Sequence, residues 1–152
     1  MNIAEKEKRI IREFELLEDW QEKYKYIIKL GQKLEPLDEN DRVDENLVRG
    51  CQSQVWLTAD LEDGKVIFRA DSDAAITKGL VALMVRFYSG EEPETIISTD
   101  PEFIRKIRMQ EHLSPTRSNG LLSMVKQMKI YAMAFKSQLG KDEPQVSRNE
   151  SA

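Results

Sequence analysis

The chain has 152 residues, which is enough for one domain with a single hydrophobic core and short for two. Its formal net charge is −4, and it lacks the clustered excess of basic residues that is typical of a nucleic-acid-binding protein. Its single cysteine cannot form an internal disulfide. The N-terminal residues are charged from Glu5 onward, and the most apolar run, residues 74–88, is too short to span a bilayer. We therefore expect a cytoplasmic protein without nucleic-acid or membrane partners. A single domain should cover residues 1–140, followed by a disordered polar tail at 141–152.

Two amphipathic helices are predicted in the N-terminal part of the chain. Ile10, Phe14 and Leu17 recur at helical spacing, which predicts a first helix that ends near Asp19. Asp19 is the predicted N-cap of a second helix, because Glu22 follows three residues later as its capping-box partner. The segment after this second helix is rich in turn-forming residues and predicts a loop.

From Gln54 onward the apolar residues recur with a period of two, which is typical of a half-buried strand. The dipeptide Asp63–Gly64 is a strong hairpin signal, and placing it at the centre of the turn brings apolar residues opposite one another. The predicted pairs are Glu62 with Lys65, Leu61 with Val66, Ala59 with Phe68, and Leu57 with Ala70. Because a two-stranded sheet is marginally stable, we also expect a third strand from residues 42–49.

Helices are predicted for most of the remaining chain. Residues 71–73 are expected to cap a largely apolar helix, and a short turn is expected at 93–97. Asp100–Pro101 predicts the start of a helix that runs to about Leu113. A loop at 114–120 then leads to a last helix. This order of elements predicts an α+β fold, in which a small antiparallel sheet is packed on one face by helices.

The only cysteine, Cys51, lies in the stretch V-R-G-C-Q-S-Q-V-W at residues 48–56. Free cysteines are usually small packing residues, so burial in the core is one interpretation. A presented sulfur is the other, because Gly50 leaves room beside it and the predicted strand begins soon afterwards. Hydrogen-bonding groups follow the cysteine on Gln52, Ser53 and Gln54. If the extended backbone reaches back to the cysteine, its thiol points inward and has a raised pKa.

A hydrolase site and a metal site are two further possibilities for the cysteine. His112 is the only histidine, and a Cys51–His112 pair permits a cysteine-hydrolase interpretation with His112 as the base. That alternative lacks a third orienting residue and a recognisable nucleophile-elbow context. A structural zinc site or a cluster scaffold generally needs three or four Cys or His ligands, so we expect no metal site.

Four blocks of the sequence resemble the SufE family of sulfur acceptors. The block R-G-C-Q-S-Q-V-W-L at Arg49–Leu57 is similar to that family's cysteine signature, and D-S-D-A-A-I-T-K-G-L at Asp71–Leu80 is similar to its second block. The block E-H-L-S-P-T-R-S-N-G-L at Glu111–Leu121 resembles the third. W-x-x-K-Y-x-Y-I-I-x-L-G at Trp20–Gly31 also fits. The resemblance covers residues 5–139, with the blocks in the same order and at similar spacing.

The resemblance implies an accessory protein of iron–sulfur cluster assembly rather than a stand-alone enzyme. In that family a pyridoxal-phosphate-dependent cysteine desulfurase, SufS, forms a persulfide, and the SufE cysteine accepts the terminal sulfur and stimulates turnover. Carried over to this chain, the acceptor is Cys51, the recipient is a SufBCD-like scaffold complex, and the fold is shared with the IscU-type scaffolds. Pyridoxal phosphate and iron are then bound by the partners, so the chain needs no cofactor of its own.

Several alternatives stay open within this resemblance. One is an allosteric activator that stimulates a desulfurase without accepting sulfur. The blocks do not separate the SufE branch from the related CsdE branch, so the particular desulfurase and scaffold are not specified. The oligomeric state is open as well, a homodimer being one possibility.

The other matched residues have weaker assignments. Gln52 and Gln54 either hold the cysteine loop or contact the desulfurase. Asp73 matches an acidic position near the loop but also suits the first turn of a helix. His112 and Arg117 match the third block, and Arg117 either stabilises a developing thiolate or persulfide anion or pairs with a carboxylate.

Overall fold

An antiparallel hairpin and six α-helices make up the part of the chain that the structure describes. The structure is a computed structural model that describes residues 1–142, so residues 143–152 of the predicted tail lie outside it. The elements are α1 Ile3–Glu15, α2 Trp20–Gln32, β1 Val55–Glu62, β2 Lys65–Ser72, α3 Ala75–Tyr88, α4 Pro93–Ser98, α5 Phe103–Lys106 and α6 Pro115–Asp142. The fold is the predicted α+β class, and one hydrophobic cluster joins the sheet to the helices. Within residues 1–142, no helix is both long and apolar enough to cross a membrane.

The first two helices follow the predicted pattern with one change of boundary. Helix α1 ends at Glu15, earlier than predicted, because the residues that follow it turn the chain towards the start of α2. The Asp19 carboxylate accepts a hydrogen bond from the Glu22 N–H at 2.9 Å, which confirms the predicted N-cap. The predicted capping box is not completed. The Glu22 carboxylate accepts from the Glu18 N–H at 3.0 Å, whereas a capping box would use the N–H of the N-cap residue, Asp19.

The hairpin of β1 and β2 has the predicted register. Glu62 lies opposite Lys65, Leu61 opposite Val66, Ala59 opposite Phe68, and Leu57 opposite Ala70. Asp63 and Gly64 both have positive φ angles, 53° and 78°, as a type I′ turn requires. One face of the sheet is buried against the helices. Its core side chains, each at most 2% exposed, are Val55, Leu57, Val66, Phe68 and Ala70.

The expected third strand is wrong, because the sheet has only two strands within the described residues. Residues 42–49 instead touch β1 near their end, where the Val48 N–H donates to the Val55 carbonyl at 2.8 Å. Two short 3₁₀ turns, Glu39–Asp41 and Asp44–Asn46, keep this part of the chain from extending along β1. The same segment then leads directly into the loop that carries the cysteine.

The predicted cap of α3 at residues 71–73 is wrong. Pairing with β1 keeps Asp71 and Ser72 in strand β2, so they are not available to start a helix. The N-cap is Ala74, whose own N–H donates to the Ser72 hydroxyl at 3.3 Å. The carboxylates of Asp71 and Asp73 consequently make contacts other than helix capping.

Two predictions for the segment between α3 and α6 also need correction. The expected turn at 93–97 is helix α4, which has Pro93 at its first position. The helix predicted from Asp100–Pro101 to Leu113 is only the short α5. Helix α5 ends at Lys106, and Arg108, with a left-handed φ of 61°, separates it from a 3₁₀ turn at Met109–Glu111.

The predicted loop at 114–120 is instead the start of helix α6. Pro115 takes the first helical position, where a missing N–H has no cost, and Ser114 Oγ accepts from the Arg117 N–H at 3.2 Å. Ser114 therefore caps the helix, which continues through Gly120. Residues assigned to a loop by sequence are thus held on a rigid element.

Helices α2 and α3 approach each other closely at two glycines. A Cβ built at Gly31 would lie 2.7 Å from the Gly79 nitrogen. One built at Gly79 would overlap the Ile27 carbonyl and lie 2.5 Å from Ile27 Cγ2. Both positions therefore exclude any side chain, and this close packing fixes α3, which supplies one wall of the site described next.

Candidate functional site

Cys51 lies in a short loop between Val48 and the start of β1. The preceding Gly50 has a φ of 95°, a left-handed conformation that favours glycine. A Cβ at this position would also lie 2.5 Å from the Ser123 hydroxyl oxygen on α6. The backbone conformation favours glycine here, and a side chain would also require Ser123 to turn away, because the loop is pressed against α6.

The Cys51 thiol is half-buried and contacts helix α6. Its Sγ lies 3.5 Å from the Gly120 carbonyl oxygen, to which the S–H donates a weak hydrogen bond. A Cβ at Gly120 would lie 3.3 Å from Sγ, so glycine lets the helix approach the sulfur closely. The thiol faces inward as expected, but β1 begins only at Val55, so packing on α6 rather than strand parity gives it this orientation.

Burial raises the pKa of the Cys51 thiol above its usual range, because the thiolate loses more solvation than the thiol does. We therefore expect the rate of Cys51 alkylation by iodoacetamide to keep rising at pH values where an exposed thiol is already ionised. The pH midpoint of the native chain should lie above that of the same chain unfolded in urea. A native midpoint at or below the unfolded one would contradict the effect of burial.

Two cavities meet at Cys51. The inner pocket, of about 50 Å³, is bounded by the cysteine loop, α3 and α6. It is lined by Cys51, Gln52, Ser53, Val55, Thr77, Leu80, Val81, Thr116, Arg117, Gly120, Leu121 and Met124. The outer groove, of about 470 Å³, is lined by the loop itself and the chain before it, residues 44 and 47–54. Cys51 thus borders both a small pocket and a wider surface groove.

Gln54 and Asp73 fasten the end of the cysteine loop to the end of β2. The Asp73 carboxylate accepts from the Gln54 N–H at 3.0 Å, and the Asp73 N–H donates to the Gln54 carbonyl at 3.3 Å. Asp73 precedes the N-cap of α3 and so does not lie in the first turn of that helix. For both residues, the contacts in the structure are those of a loop support.

Comparison with known proteins identifies the family. The SufE model, described as the Fe-S metabolism associated domain, matches residues 8–132. The chain belongs to the SufE family. An uncharacterized SufE-like protein of Synechocystis sp. is 42% identical over 132 residues, which cover 87% of this chain and 82% of that protein. Membership of the SufE family gives the chain a role in iron–sulfur metabolism.

One solved structure shares the fold of this SufE family chain. The solution structure of a hypothetical protein from Thermus thermophilus superposes with a TM-score of 0.71. The match covers 85% of this chain and 94% of that one, at 24% sequence identity. This likeness shows the fold alone, and it agrees with the predicted α+β arrangement.

Gln52 and Arg117 line the inner pocket together with Cys51. Arg117 lies exposed in the first turn of α6, which the sequence had assigned to a loop. Among the side chains of residues 1–140, no carboxylate forms an ion pair with its guanidinium. The structure therefore does not support the alternative that Arg117 is held by a carboxylate.

His112 makes contacts outside this arrangement. Its ring stacks on Trp20, with centroids 4.0 Å apart and an interplanar angle of 19°. Its carbonyl accepts a hydrogen bond from the Tyr24 hydroxyl. The Cys51 thiol donates to a backbone carbonyl rather than to an imidazole. The hydrogen-bonded Cys–His pair that a cysteine hydrolase needs is therefore not formed.

The chemistry that the site itself offers is that of a single thiol. Among the described side chains, those of residues 1–140, no three from His, Cys, Asp or Glu are grouped so that they could hold a metal ion. The side chains around the thiol are apolar groups, hydroxyls, one amide and one guanidinium. Such a set can shield a sulfur atom and donate hydrogen bonds to a thiolate or persulfide anion.

Sequence reasoning missed the residues that α3 and α6 contribute to the site. Thr77 and Met124 line the inner pocket, and Ser123 packs against Gly50. The signal for α6 was present, since Ser114–Pro115 is a favourable helix start. No local pattern marks Thr77, because its place in the pocket depends on how α3 packs.

Proposed function

We propose that this SufE family chain accepts sulfur on Cys51, as a persulfide, from a pyridoxal-phosphate-dependent cysteine desulfurase of the SufS kind. It then passes the sulfur to an iron–sulfur cluster scaffold of the SufBCD kind. The observation that carries this proposal is the position of Cys51, half-buried where the inner pocket meets the outer groove. Pyridoxal phosphate and iron belong to the partners, and the chain works in the cytoplasm, where thiols stay reduced.

The transfer exchanges one sulfur–sulfur bond for another. The Cys51 thiol first loses its proton, and the thiolate attacks the terminal sulfur of the desulfurase persulfide. The sulfur–sulfur bond of that persulfide breaks, and the desulfurase cysteine leaves as a thiolate. A new bond then joins Cys51 Sγ to the transferred sulfur, which keeps its oxidation state, so the step needs no oxidant or reductant.

Burial of Cys51 suits a sulfur carrier in two respects. The raised pKa keeps the thiol protonated at neutral pH, so it reacts slowly with oxidants while it is sheltered. The inner pocket, of about 50 Å³, exceeds the roughly 10–15 Å³ that one water-sized group needs, so an added sulfur atom fits there. Shelter is useful because other thiols readily remove the outer sulfur of a persulfide.

Arg117 and Gln52 would donate hydrogen bonds to the thiolate and persulfide anions of Cys51. Both line the inner pocket, and both side chains donate hydrogen bonds. A guanidinium bound to an anion makes a stronger hydrogen bond than a neutral donor does. Arg117 would therefore stabilise the Cys51 thiolate before transfer and the persulfide anion afterwards.

Sulfide release from cysteine by a SufS-type desulfurase, measured with reductant present, tests this proposal. The untreated chain should raise the rate, whereas a chain alkylated with iodoacetamide at its single cysteine should not. Binding of both forms to the desulfurase is measured in parallel as the control. Equal stimulation by both forms would favour an allosteric activator. Hydrolysis of a small acyl ester without desulfurase, lost in His112→Ala, would favour the hydrolase alternative.

A further inference from the structure

A buried carboxylate lies at the open end of the hairpin, beside the cysteine loop but outside the two cavities. Asp71 is only 1% exposed. An ionised group buried to this degree needs compensating partners. One carboxylate oxygen of Asp71 lies 3.3 Å from Lys78 Nζ and accepts from the Ser72 N–H at 2.8 Å. The guanidinium of Arg42 binds the other oxygen.

These partners keep Asp71 ionised. Burial alone raises the pKa of Asp71, but the Ser72 hydrogen bond and the charges of Arg42 and Lys78 outweigh it. The net effect is a pKa below the usual range of an aspartate. At neutral pH the carboxylate therefore holds both cations.

The two cations come from the two walls that enclose Cys51. We call residues 42–48 the entering chain, because they lead into the cysteine loop along the outer groove. Arg42 begins this chain, and its guanidinium lies 6.0 Å from the ring centroid of Trp56 on β1. Lys78 lies on α3, next to Thr77, which lines the inner pocket. One carboxylate thus joins the entering chain to the helix on the other side of the site.

The loop packs against α6, but few hydrogen bonds hold it in place. Within residues 1–142, the side chains of residues 49–53 make one hydrogen bond, from the Cys51 thiol to Gly120 at 3.5 Å. A thiol is a weak donor, so this contact cannot fix the loop alone. Hydrogen bonds therefore hold the loop mainly at its two ends: at Gln54, which Asp73 holds, and in the entering chain, where the Val48 N–H donates to the Val55 carbonyl.

We propose that Asp71 and Arg42 are positioning residues for the Cys51 thiol. Their ion pair, together with Lys78, fixes the entering chain against α3, so that the thiol stays turned towards α6. The purpose of this arrangement rests on the proposed sulfur-acceptor function, since a sheltered sulfur is of use to a carrier. The protection of the thiol can be measured without any partner.

Alkylation of Cys51 by iodoacetamide under native conditions tests the inference. We expect Arg42→Met to raise the alkylation rate about tenfold, because releasing the entering chain makes local opening of the loop easier. Arg42→Lys keeps the charge and should restore most of the protection. Lys78→Met removes the other cation and should also raise the rate, which keeps the inference testable if Arg42→Met does not fold.

Arg86→Met is the matched control. Arg86 pairs with Glu13 at 2.6 Å, and its side chain is 32% exposed, against 39% for Arg42. Its ion pair joins α3 to α1 rather than to the entering chain. Arg86→Met should lower the urea midpoint of unfolding without raising the alkylation rate below the unfolding transition.

Two results would overturn the inference. One is an alkylation rate in Arg42→Met and Lys78→Met equal to that of the wild type. The other is an alkylation rate that rises in both Arg42→Met and Arg86→Met in proportion to the free energy of unfolding that each variant has lost. Global unfolding, rather than local opening of the loop, would then expose the thiol. Because alkylation needs no desulfurase, a thiol protected by Arg42 that accepts no sulfur would overturn only the proposed function.

Discussion

Cys51→Ser is expected to abolish stimulation of a cysteine desulfurase while leaving the fold intact. The serine hydroxyl can still donate to the Gly120 carbonyl, as the thiol does. We therefore expect the free energy of unfolding to change by less than about 1 kcal/mol. The hydroxyl cannot form the sulfur–sulfur bond on which transfer depends, so the loss of sulfur acceptance should be complete.

Sulfide release in the presence of the variant measures this effect, and a binding titration shows whether the variant still reaches the desulfurase. Ser53→Ala is the matched control, because Ser53 lines the inner pocket beside Cys51 but carries no thiol. Ser53→Ala should keep most of the stimulation, because its hydroxyl forms no bond to the transferred sulfur. Full stimulation by Cys51→Ser would contradict sulfur acceptance and leave allosteric activation as the explanation.

Gly79→Ala is expected to lower the free energy of unfolding by about 2 kcal/mol, the largest stability effect that we predict. The added methyl group would overlap the Ile27 backbone on α2, so the two helices must move apart. Overpacking of this kind costs up to about 3 kcal/mol, and the better helix propensity of alanine recovers about 1 kcal/mol. Displacement of α3 should also disturb the inner pocket, to which Thr77 and Leu80 contribute.

Urea unfolding followed by circular dichroism measures this loss of stability. Gly140→Ala is the matched control, since Gly140 is also helical and a Cβ there would meet no atom of the described residues within 4 Å. This control should leave the midpoint unchanged or raise it. If Gly79→Ala were as stable as the control, α2 and α3 could not pack as closely as the structure shows.

The hairpin was predictable because two independent local signals agree. The period of two fixes which residues face the core, and Asp63–Gly64 fixes the turn, so together they determine the register. The prediction of a third strand was wrong because two 3₁₀ turns before Leu47 interrupt the segment, and no sequence signal used here indicated these turns. The predicted helix cap at residues 71–73 was wrong for a related reason. The side chains of Asp71 and Ser72 suit a helix start, but these residues pair with β1 as part of strand β2.

The site was predictable only as far as the cysteine and its immediate neighbours. Gly120 was assigned to a loop, although it is helical and lets α6 lie close to the sulfur. Ser114–Pro115 could have indicated this helix start. The contact between Arg42 and Asp71 joins residues distant in sequence, and its contribution to the structure depends on the burial of Asp71. Such contacts follow from tertiary packing, which periodicity and turn signals do not encode.

The most direct test of sulfur acceptance is the intact mass of the chain after incubation with a SufS-type desulfurase and cysteine, without reductant. We expect a wild-type species heavier by one sulfur atom, reversed by added thiol and absent from Cys51→Ser. Unmodified wild-type chain, in a reaction where it still raises the turnover of the desulfurase, would contradict Cys51 as the sulfur acceptor.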